Sequence, residues 1–88
     1  MIELRHLRTL LALRETGSLV EAAERVHLTQ SALSHQLKDL ESLVDSALFV
    51  RKTRPVEFTR AGLRLLALAD EILPEVRKAE RDLARLAG

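Results

Sequence analysis

The chain of 88 residues contains no cysteine, tryptophan or tyrosine, and only two phenylalanines. The absence of thiols excludes a disulfide framework, a thiolate zinc site and a cysteine nucleophile. The near absence of aromatic rings disfavours binding of single-stranded nucleic acid, because such binding depends on the stacking of bases on aromatic side chains. The chemistry of this chain must therefore come from its aliphatic, hydroxyl, amide and charged side chains.

Glycine and proline are also scarce, with three and two residues, whereas 47% of the chain is hydrophobic and 31% is charged. This composition excludes a collagen-like or disordered chain and is typical of one small globular domain. No apolar run approaches the roughly 20 residues that a membrane span needs, and charged residues interrupt the first twenty positions. We therefore expect no membrane span and no secretory signal, and a cytoplasmic location.

Two short helices are predicted at the start of the chain. Leucines repeat at helical spacing between Leu4 and Leu13, and Gly17 is a typical residue to end that helix. Ser18 follows as the N-cap of a second helix, with Glu21 three residues later in the position that completes a capping box.

A third helix is predicted over residues 30–44, with Thr29 as its N-cap. Its apolar residues fall on one stripe: Leu33, Leu37, Leu40 and Val44. A short helix, a tight turn and a second helix with a polar first turn are typical of a helix-turn-helix.

The segment after residue 47 predicts a β-hairpin. Two short, mostly apolar segments, Leu48–Arg51 and Val56–Phe58, are predicted to be strands, and the connection between them contains Pro55. Residues 51–60 hold four Arg or Lys against a single Glu, although the whole chain has a net charge of only +1. The hairpin is therefore where positive charge is concentrated.

A long last helix is predicted from residue 60 to about residue 87, capped by Thr59 and about 42 Å in length. Apolar residues recur along it at alternating intervals of four and three, which predicts packing against another long helix in a homodimer. This dimer seam consists of Leu65, Ala69, Ile72, Val76, Ala79, Leu83 and Leu86. Pro74 lies off the seam and predicts a kink near residues 70–74, because it cannot donate a hydrogen bond to the preceding turn.

Polar side chains on the third helix and basic ones in the hairpin indicate binding of double-stranded DNA. Opposite the leucine stripe project five side chains that can hydrogen-bond to base edges: Gln30, Ser31, Ser34, His35 and Lys38. Helix N-termini and cations suit phosphates, and a basic hairpin suits the minor groove. The predicted contacts to the DNA backbone and from the wing, defined as residues 51–55, are Ser18, Thr29, Lys38, Arg51, Lys52, Thr53 and Arg54.

Several motifs in succession carry a family resemblance: Gly17-Ser18, Ala22-Ala23, Gln30-Ser31-Ala32-Leu33-Ser34, Leu40-Glu41, Leu48-Phe49-x-Arg51 and Thr59-x-x-Gly62. Over about residues 4–66 this succession resembles the N-terminal DNA-binding domain of LysR-type transcriptional regulators. In finer detail, residues 29–36 and 48–52 resemble the branch of that family that controls methionine biosynthesis. The chain departs from the usual family pattern at Ser31, His35 and Asp45, where many members have Pro, Arg and Gly.

The resemblance implies a mainly α fold, a winged helix-turn-helix of three helices and a β-hairpin over residues 1–59, followed by a linker and dimerisation helix over residues 60–88. It also implies a dimer on an interrupted palindromic promoter site, with residues 30–44 in the major groove and the wing at the minor groove. By position, the resemblance implies that Arg54 enters the minor groove and that the residues that read bases are Gln30, Ser31, Ser34 and His35. The effector-binding domain of the family is expected to be absent from this chain. We therefore expect no cofactor, no metal and no small-molecule effector, and a tetramer only with the effector domain.

Two other classes of function fit the sequence less well. A helical dimerisation or protein-interaction module would explain residues 63–86, but it would leave the polar side of the third helix without a purpose. An enzyme is disfavoured because the adjacent Ser34 and His35 point about 100° apart on a helix and cannot pair as nucleophile and base. The sequence also contains no glycine-rich phosphate loop.

Overall fold

The computed structural model describes residues 1–88 and contains four helices and one two-stranded antiparallel sheet. The elements in chain order are α1 (Leu4–Thr16), α2 (Leu19–Arg25), α3 (Gln30–Val44), β1 (Phe49–Val50), β2 (Glu57–Phe58) and α4 (Arg60–Ala87). In the sheet, Phe49 lies opposite Phe58 and Val50 lies opposite Glu57. The predicted mainly α fold with a hairpin is confirmed, although each strand is shorter than the apolar run that predicted it.

The helix ends are fixed by the capping residues that the sequence indicates. Gly17 adopts a left-handed conformation with φ 72°, and its N–H donates to the carbonyl of Leu13 at 2.8 Å. The Ser18 hydroxyl accepts from the Glu21 N–H at 3.3 Å, whereas the Ser18 N–H donates to the hydroxyl of Thr16 at 3.4 Å. Only half of the predicted capping box therefore forms, because Thr16 takes the place of the Glu21 carboxylate.

The core is built mainly from leucine, with smaller contributions from alanine and Phe49. One cluster joins α1, α2, α3, β1 and the start of α4, and its largest fully buried side chains are Leu10, Leu13, Leu33, Leu37, Leu40, Leu48 and Leu66. All three buried residues of α3 belong to the predicted stripe, while Val44 lies at the edge of the cluster and is only partly buried. Branched aliphatic side chains thus fill the space that aromatic rings occupy in many small domains.

The first half of α4 packs against α1, and the second half projects from the body of the domain. Leu7 of α1 is buried together with Ala69 and Leu73 in a second cluster. Beside it, the Arg14 guanidinium donates two hydrogen bonds to the Asp70 carboxylate, at 2.9 and 2.7 Å. This contact lowers the pKa of Asp70. The helix continues through Pro74, and the chain measures 47 × 24 × 20 Å.

The structure corrects the predicted dimer seam at its beginning. Leu65 and Ala69 are buried in the chain's own core, so a partner cannot reach them. Ile72 and Val76 are half-buried, and the exposed members are Ala79, Leu83 and Leu86. The reason is geometric, because a 3.5-residue repeat drifts by about 20° per heptad around a straight α-helix. The first members face the body, and the last members lie beyond it.

The Thr59-x-x-Gly62 motif joins α4 to the start of β1. The Thr59 N–H donates to the Leu48 carbonyl at 3.0 Å, and the Thr59 hydroxyl donates to the Ala47 carbonyl at 2.6 Å. A Cβ atom on Gly62 would lie 2.0 Å from the same Leu48 oxygen. Glycine is therefore required at this position by the close approach of two backbones.

We expect Gly62→Ala to lower the free energy of unfolding by about 2 kcal/mol, because overpacking costs more than the roughly 1 kcal/mol that alanine adds in helix propensity. Urea denaturation measures the change. The matched control is Ala67→Gly on the exposed side of the same helix, which loses about 1 kcal/mol from propensity alone. A stabilised Gly62→Ala variant would show that the backbone contact is not limiting.

A buried histidine at the start of α1 was not anticipated from the sequence. His6 is only 2% exposed, and its Nδ1 accepts a hydrogen bond from the Glu3 N–H at 3.0 Å. That bond requires an unprotonated Nδ1. Burial, and secondarily the charge of Arg5, lower the pKa of His6.

The stability of the chain should therefore fall as the pH is lowered through and below about 6.5, the ordinary pKa of histidine. In that window the unfolded chain binds more protons than the folded chain, so acid favours unfolding. Denaturation midpoints between pH 7.5 and 5 measure this dependence. His6→Gln should reduce it and the exposed-site control His35→Gln should not; equal slopes in the two variants would exclude His6 as the cause.

Candidate nucleic-acid interface

One side of α3 is free of contacts with the rest of the domain. The helix packs against α1 and α2 through its leucine stripe. Of the polar residues predicted on the opposite side, Gln30, Ser31, His35 and Lys38 are exposed, and Ser34 is half-buried. The structure thus gathers these five residues along the outer side of one helix, where side chains of this length can reach a ligand.

Other polar residues of α3 serve the fold. The Thr9 hydroxyl of α1 donates a hydrogen bond to Oε1 of Gln36, so Gln36 is directed toward α1 and away from the free side. His35 Nε2 lies 3.6 Å from Asp39 Oδ2 one turn later, and both side chains are more than half exposed. Such an exposed pair contributes little to stability and leaves His35 available to a ligand.

The turn between α2 and α3 is short and tightly bonded. His27 adopts a left-handed conformation with φ 60°, and the Leu28 N–H donates to the Ala23 carbonyl at 2.9 Å. Thr29 then caps α3, since its hydroxyl oxygen accepts from the Ala32 N–H at 3.1 Å. Ser18 and Thr29 are therefore both N-caps, and each hydroxyl retains a hydrogen that it can donate to a phosphate.

Hydrogen bonds hold the wing at the hairpin turn and immediately before the returning strand. The Thr53 hydroxyl donates to the Val50 carbonyl at 3.2 Å and accepts from the Glu57 N–H at 3.1 Å, so Thr53 closes the hairpin turn. The Val56 N–H donates to the Gly17 carbonyl at 3.1 Å, which joins the wing to the turn between α1 and α2. Thr53, predicted from the sequence as a DNA contact, thus has a structural role in the free chain.

The three cations of the wing differ in whether they form an ion pair within the domain. The Arg51 guanidinium pairs with the Glu41 carboxylate and lies 4.5 Å from the centre of the Phe49 ring. Lys52 and Arg54 are exposed and form no ion pair in the structure. The positive charge that the wing offers to a ligand therefore comes from Lys52 and Arg54, while much of the charge of Arg51 is already balanced.

The start of α3 and the wing are adjacent. A groove between α2, α3 and the hairpin is lined by residues from both predicted DNA-contact groups, among them Ser18, Gln30, Thr53 and Arg54. Residues that are up to 36 positions apart in sequence thus contribute to one surface. Glu41, Gln36 and Thr9 hold α3 against the wing and α1, and their roles could not be recognised from the sequence. Only the presence of Glu41 in a family motif signalled its importance.

No three His, Asp or Glu side chains lie close enough together to hold a metal ion. None of the helices combines the length and the apolar character that a transbilayer segment requires. The features that the structure does combine are a capped short helix, a tight turn, a helix with a free polar side and a basic β-hairpin beside it. Together these define the chain as a winged helix-turn-helix protein.

The chain belongs to the lysR family of bacterial regulatory helix-turn-helix proteins, whose family model matches residues 4–63. The HTH-type transcriptional regulator MetR of Haemophilus influenzae is 60% identical over 85 residues, which cover 97% of this chain and 28% of that protein. The chain thus spans less than a third of the length of this relative. The family resemblance predicted from the sequence is confirmed.

Solved structures of DNA complexes share the fold. The BenM DNA-binding domain bound to benA site 1 DNA is 33% identical, with a TM-score of 0.88 over 99% of this chain and 98% of that one. The CbnR DNA-binding domain in a DNA complex is 34% identical, with a TM-score of 0.81 over 98% of both chains. The agreement covers α4 as well as the helix-turn-helix and the wing.

Proposed function

We propose that this chain is the DNA-binding domain of a LysR-type transcriptional regulator and that it reads the sequence of double-stranded promoter DNA. The observation that carries the proposal is the free polar side of α3 beside a wing with two unpaired cations. Support also comes from the two related domains whose structures contain DNA. The fold leaves these side chains without internal partners, as a ligand-binding surface requires.

In the proposed complex, α3 enters the major groove, which is wide enough to admit a helix. Gln30 addresses adenine, Ser31 and Ser34 address either kind of base, and His35 addresses guanine, each through its base edge. The hydroxyl groups of Ser18 and Thr29 donate to phosphates at the two helix N-termini. Lys38 binds a phosphate on the same side of α3.

The wing completes the proposed interface at the neighbouring minor groove. Arg54 enters this groove, where the negative potential of DNA is strongest when the groove is narrow. Lys52 binds a phosphate, and Arg51 and Thr53 hold the backbone of the hairpin in place. The adjacency of Gln30 and Arg54 along one groove supports simultaneous contact with the two DNA grooves.

The proposed unit in the cell is a homodimer, with residues 1–59 as the DNA-binding part and residues 60–88 as the linker and dimerisation helix. A symmetric dimer matches an interrupted palindrome, because each protomer reads one half-site. The exposed apolar residues Ala79, Leu83 and Leu86 supply the contact, together with the half-buried Ile72 and Val76. Recognition of a small-molecule effector and tetramer formation belong to an additional domain of the kind found in the family.

The genes under control are proposed to be those of methionine biosynthesis, in the cytoplasm of a bacterium. The 60% identity to a MetR regulator supports this choice. The motifs at residues 29–36 and 48–52, which lie within the region compared, resemble the same branch of the family.

The proposal predicts that the chain prefers a duplex containing an interrupted palindrome to a scrambled duplex, with an affinity that falls steeply as salt is raised. Fluorescence anisotropy at a series of salt concentrations measures both properties. Arg54→Ala should weaken binding and reduce the slope of log affinity against log salt by about one unit. The matched control is Arg81→Ala, which removes the same charge from an exposed position on the projecting half of α4 and should leave the slope unchanged.

Weak, salt-insensitive and equal binding to both duplexes by a dimeric chain would instead favour a helical interaction module. A change in slope of the same size in both arginine variants would show that only the overall charge matters and that Arg54 makes no specific contact.

Dimer formation is predicted to depend on the end of α4. The double variant Leu83→Asp and Leu86→Asp should raise the dimer dissociation constant at least about tenfold, because the contact would then bury unpaired charge. Sedimentation equilibrium measures the change, and both residues are exposed in the monomer, so the fold should be kept. The control is Leu63→Asp, an exposed leucine on the same helix but outside the seam. An unchanged dimer in the double variant would place the interface elsewhere.

A further inference from the structure

The side chain of Glu41 contacts the residue before β1 and the residue after it. Glu41 lies in the second half of α3, and its side chain is only 17% exposed. Oε2 accepts a hydrogen bond from the Leu48 N–H at 2.8 Å, and Oε1 accepts one from Nη2 of Arg51. The carboxylate therefore connects α3 to the residues immediately before and after β1, the strand that leads into the wing.

Arg51 is held from a second direction as well. Its guanidinium lies 4.5 Å from the centre of the Phe49 ring, and Phe49 itself is 4% exposed. An arginine that is paired with a carboxylate and stacked on a buried ring loses most of its rotational freedom. The backbone at residue 51 is thereby fixed next to α3.

The two unpaired cations of the wing lie within three residues of Arg51 in the sequence. Lys52 is the next residue, and Arg54 is three positions beyond Arg51. The returning part of the hairpin has its own attachment, through the bond from the Val56 N–H to the Gly17 carbonyl at 3.1 Å. On the outgoing part, Leu48 and Phe49 are buried in the core with the leucines of α3, and Glu41 adds the polar contacts. The position of Arg54 relative to the base-reading residues therefore depends in part on Glu41.

The charge of Glu41 makes this arrangement unexpected for a DNA-binding surface. A carboxylate beside phosphates weakens the sequence-independent attraction to DNA. Loss of the charge should therefore strengthen non-specific binding, whereas loss of the contacts should weaken binding to the preferred sequence. Because these two effects have opposite signs, they can be separated by experiment.

We infer that Glu41 is a positioning residue that sets the wing relative to α3 and so determines sequence selectivity, an inference that rests on the proposed function. Glu41 acts through Leu48 and Arg51, and it need not touch the DNA. Its effect is on the ratio of specific to non-specific affinity more than on either affinity alone.

The test variant is Glu41→Gln, whose amide oxygen can still accept from the Leu48 N–H but whose side chain cannot form the ion pair with Arg51. The specific probe is the duplex that the wild-type chain enriches from a pool of randomised interrupted palindromes, and the non-specific probe is a scrambled version of it. We expect the ratio of the two affinities to fall about tenfold, the size of one misplaced groove contact. The control is Asp45→Asn, which removes a neighbouring exposed charge while keeping a residue that tolerates the left-handed conformation (φ 50°).

A merely structural role is distinguished by combining the change with Arg54→Ala. When Arg54 is replaced, the minor-groove contact that a misplaced wing would lose is already absent. Glu41→Gln should then change the ratio of specific to non-specific affinity by less than about twofold. An effect of the same size with and without Arg54 would overturn the inference, as would a ratio in Glu41→Gln equal to that in Asp45→Asn.

A second variant covers the case in which Glu41→Gln does not fold. Arg51→Ala keeps the bond between Glu41 and Leu48 and removes the other tie, and it should lower the ratio by a similar factor; an unchanged ratio overturns the inference. If the wild-type chain enriches no sequence, the proposed function fails and the inference fails with it. If the wild-type chain is selective and the variants are equally selective, only the inference fails.

Discussion

Burial of α3 along a single leucine stripe is the constraint on which the rest of the structure depends. Leu33, Leu37 and Leu40 are the only buried residues of a helix of 15 residues. With so few aromatic rings available, these side chains must meet leucines from α1, from α4 and from the residue before β1 to exclude water. The outer side of the helix, which carries Gln30, Ser31 and His35, is left exposed. The burial that stabilises the fold therefore also leaves the proposed reading surface free.

Most of the helical framework was predictable because it follows from local chemistry. The bounds of α3 and α4 were predicted from their N-caps, Thr29 and Thr59, and from apolar periodicity. Both signals are local, because each involves residues only a few positions apart in the chain. The half-formed capping box of α2 shows the limit of such reasoning. A capping box assumes that Glu21 has no competitor for the Ser18 N–H, yet the Thr16 hydroxyl of the preceding helix end takes that bond.

The state of the charged residues could not be predicted, because it depends on contacts between distant parts of the chain. By charge alone Arg51 and Arg54 are equivalent cations of a basic hairpin, but in the structure one is paired with Glu41 and the other forms no ion pair. Burial of His6 likewise depends on how α1 packs rather than on its neighbours in sequence. A count of cations therefore overestimates the charge that the wing can present to DNA.

A 3.5-residue repeat indicates that one face of a helix is buried against another element. It does not show whether that element belongs to the same chain or to a second protomer. In α4 the repeat runs without interruption, yet its early members are covered by α1 and only the late members remain for a partner. This division gives the helix a mechanical role in the proposed dimer. The buried apolar contacts with α1 end at Leu73, so one continuous helix is both part of the domain core and the proposed contact with the second protomer. The separation of the two α3 helices in such a dimer is then set by the attachment of α4 to α1, which includes the Arg14–Asp70 bonds, and half-site spacing becomes a property of that packing.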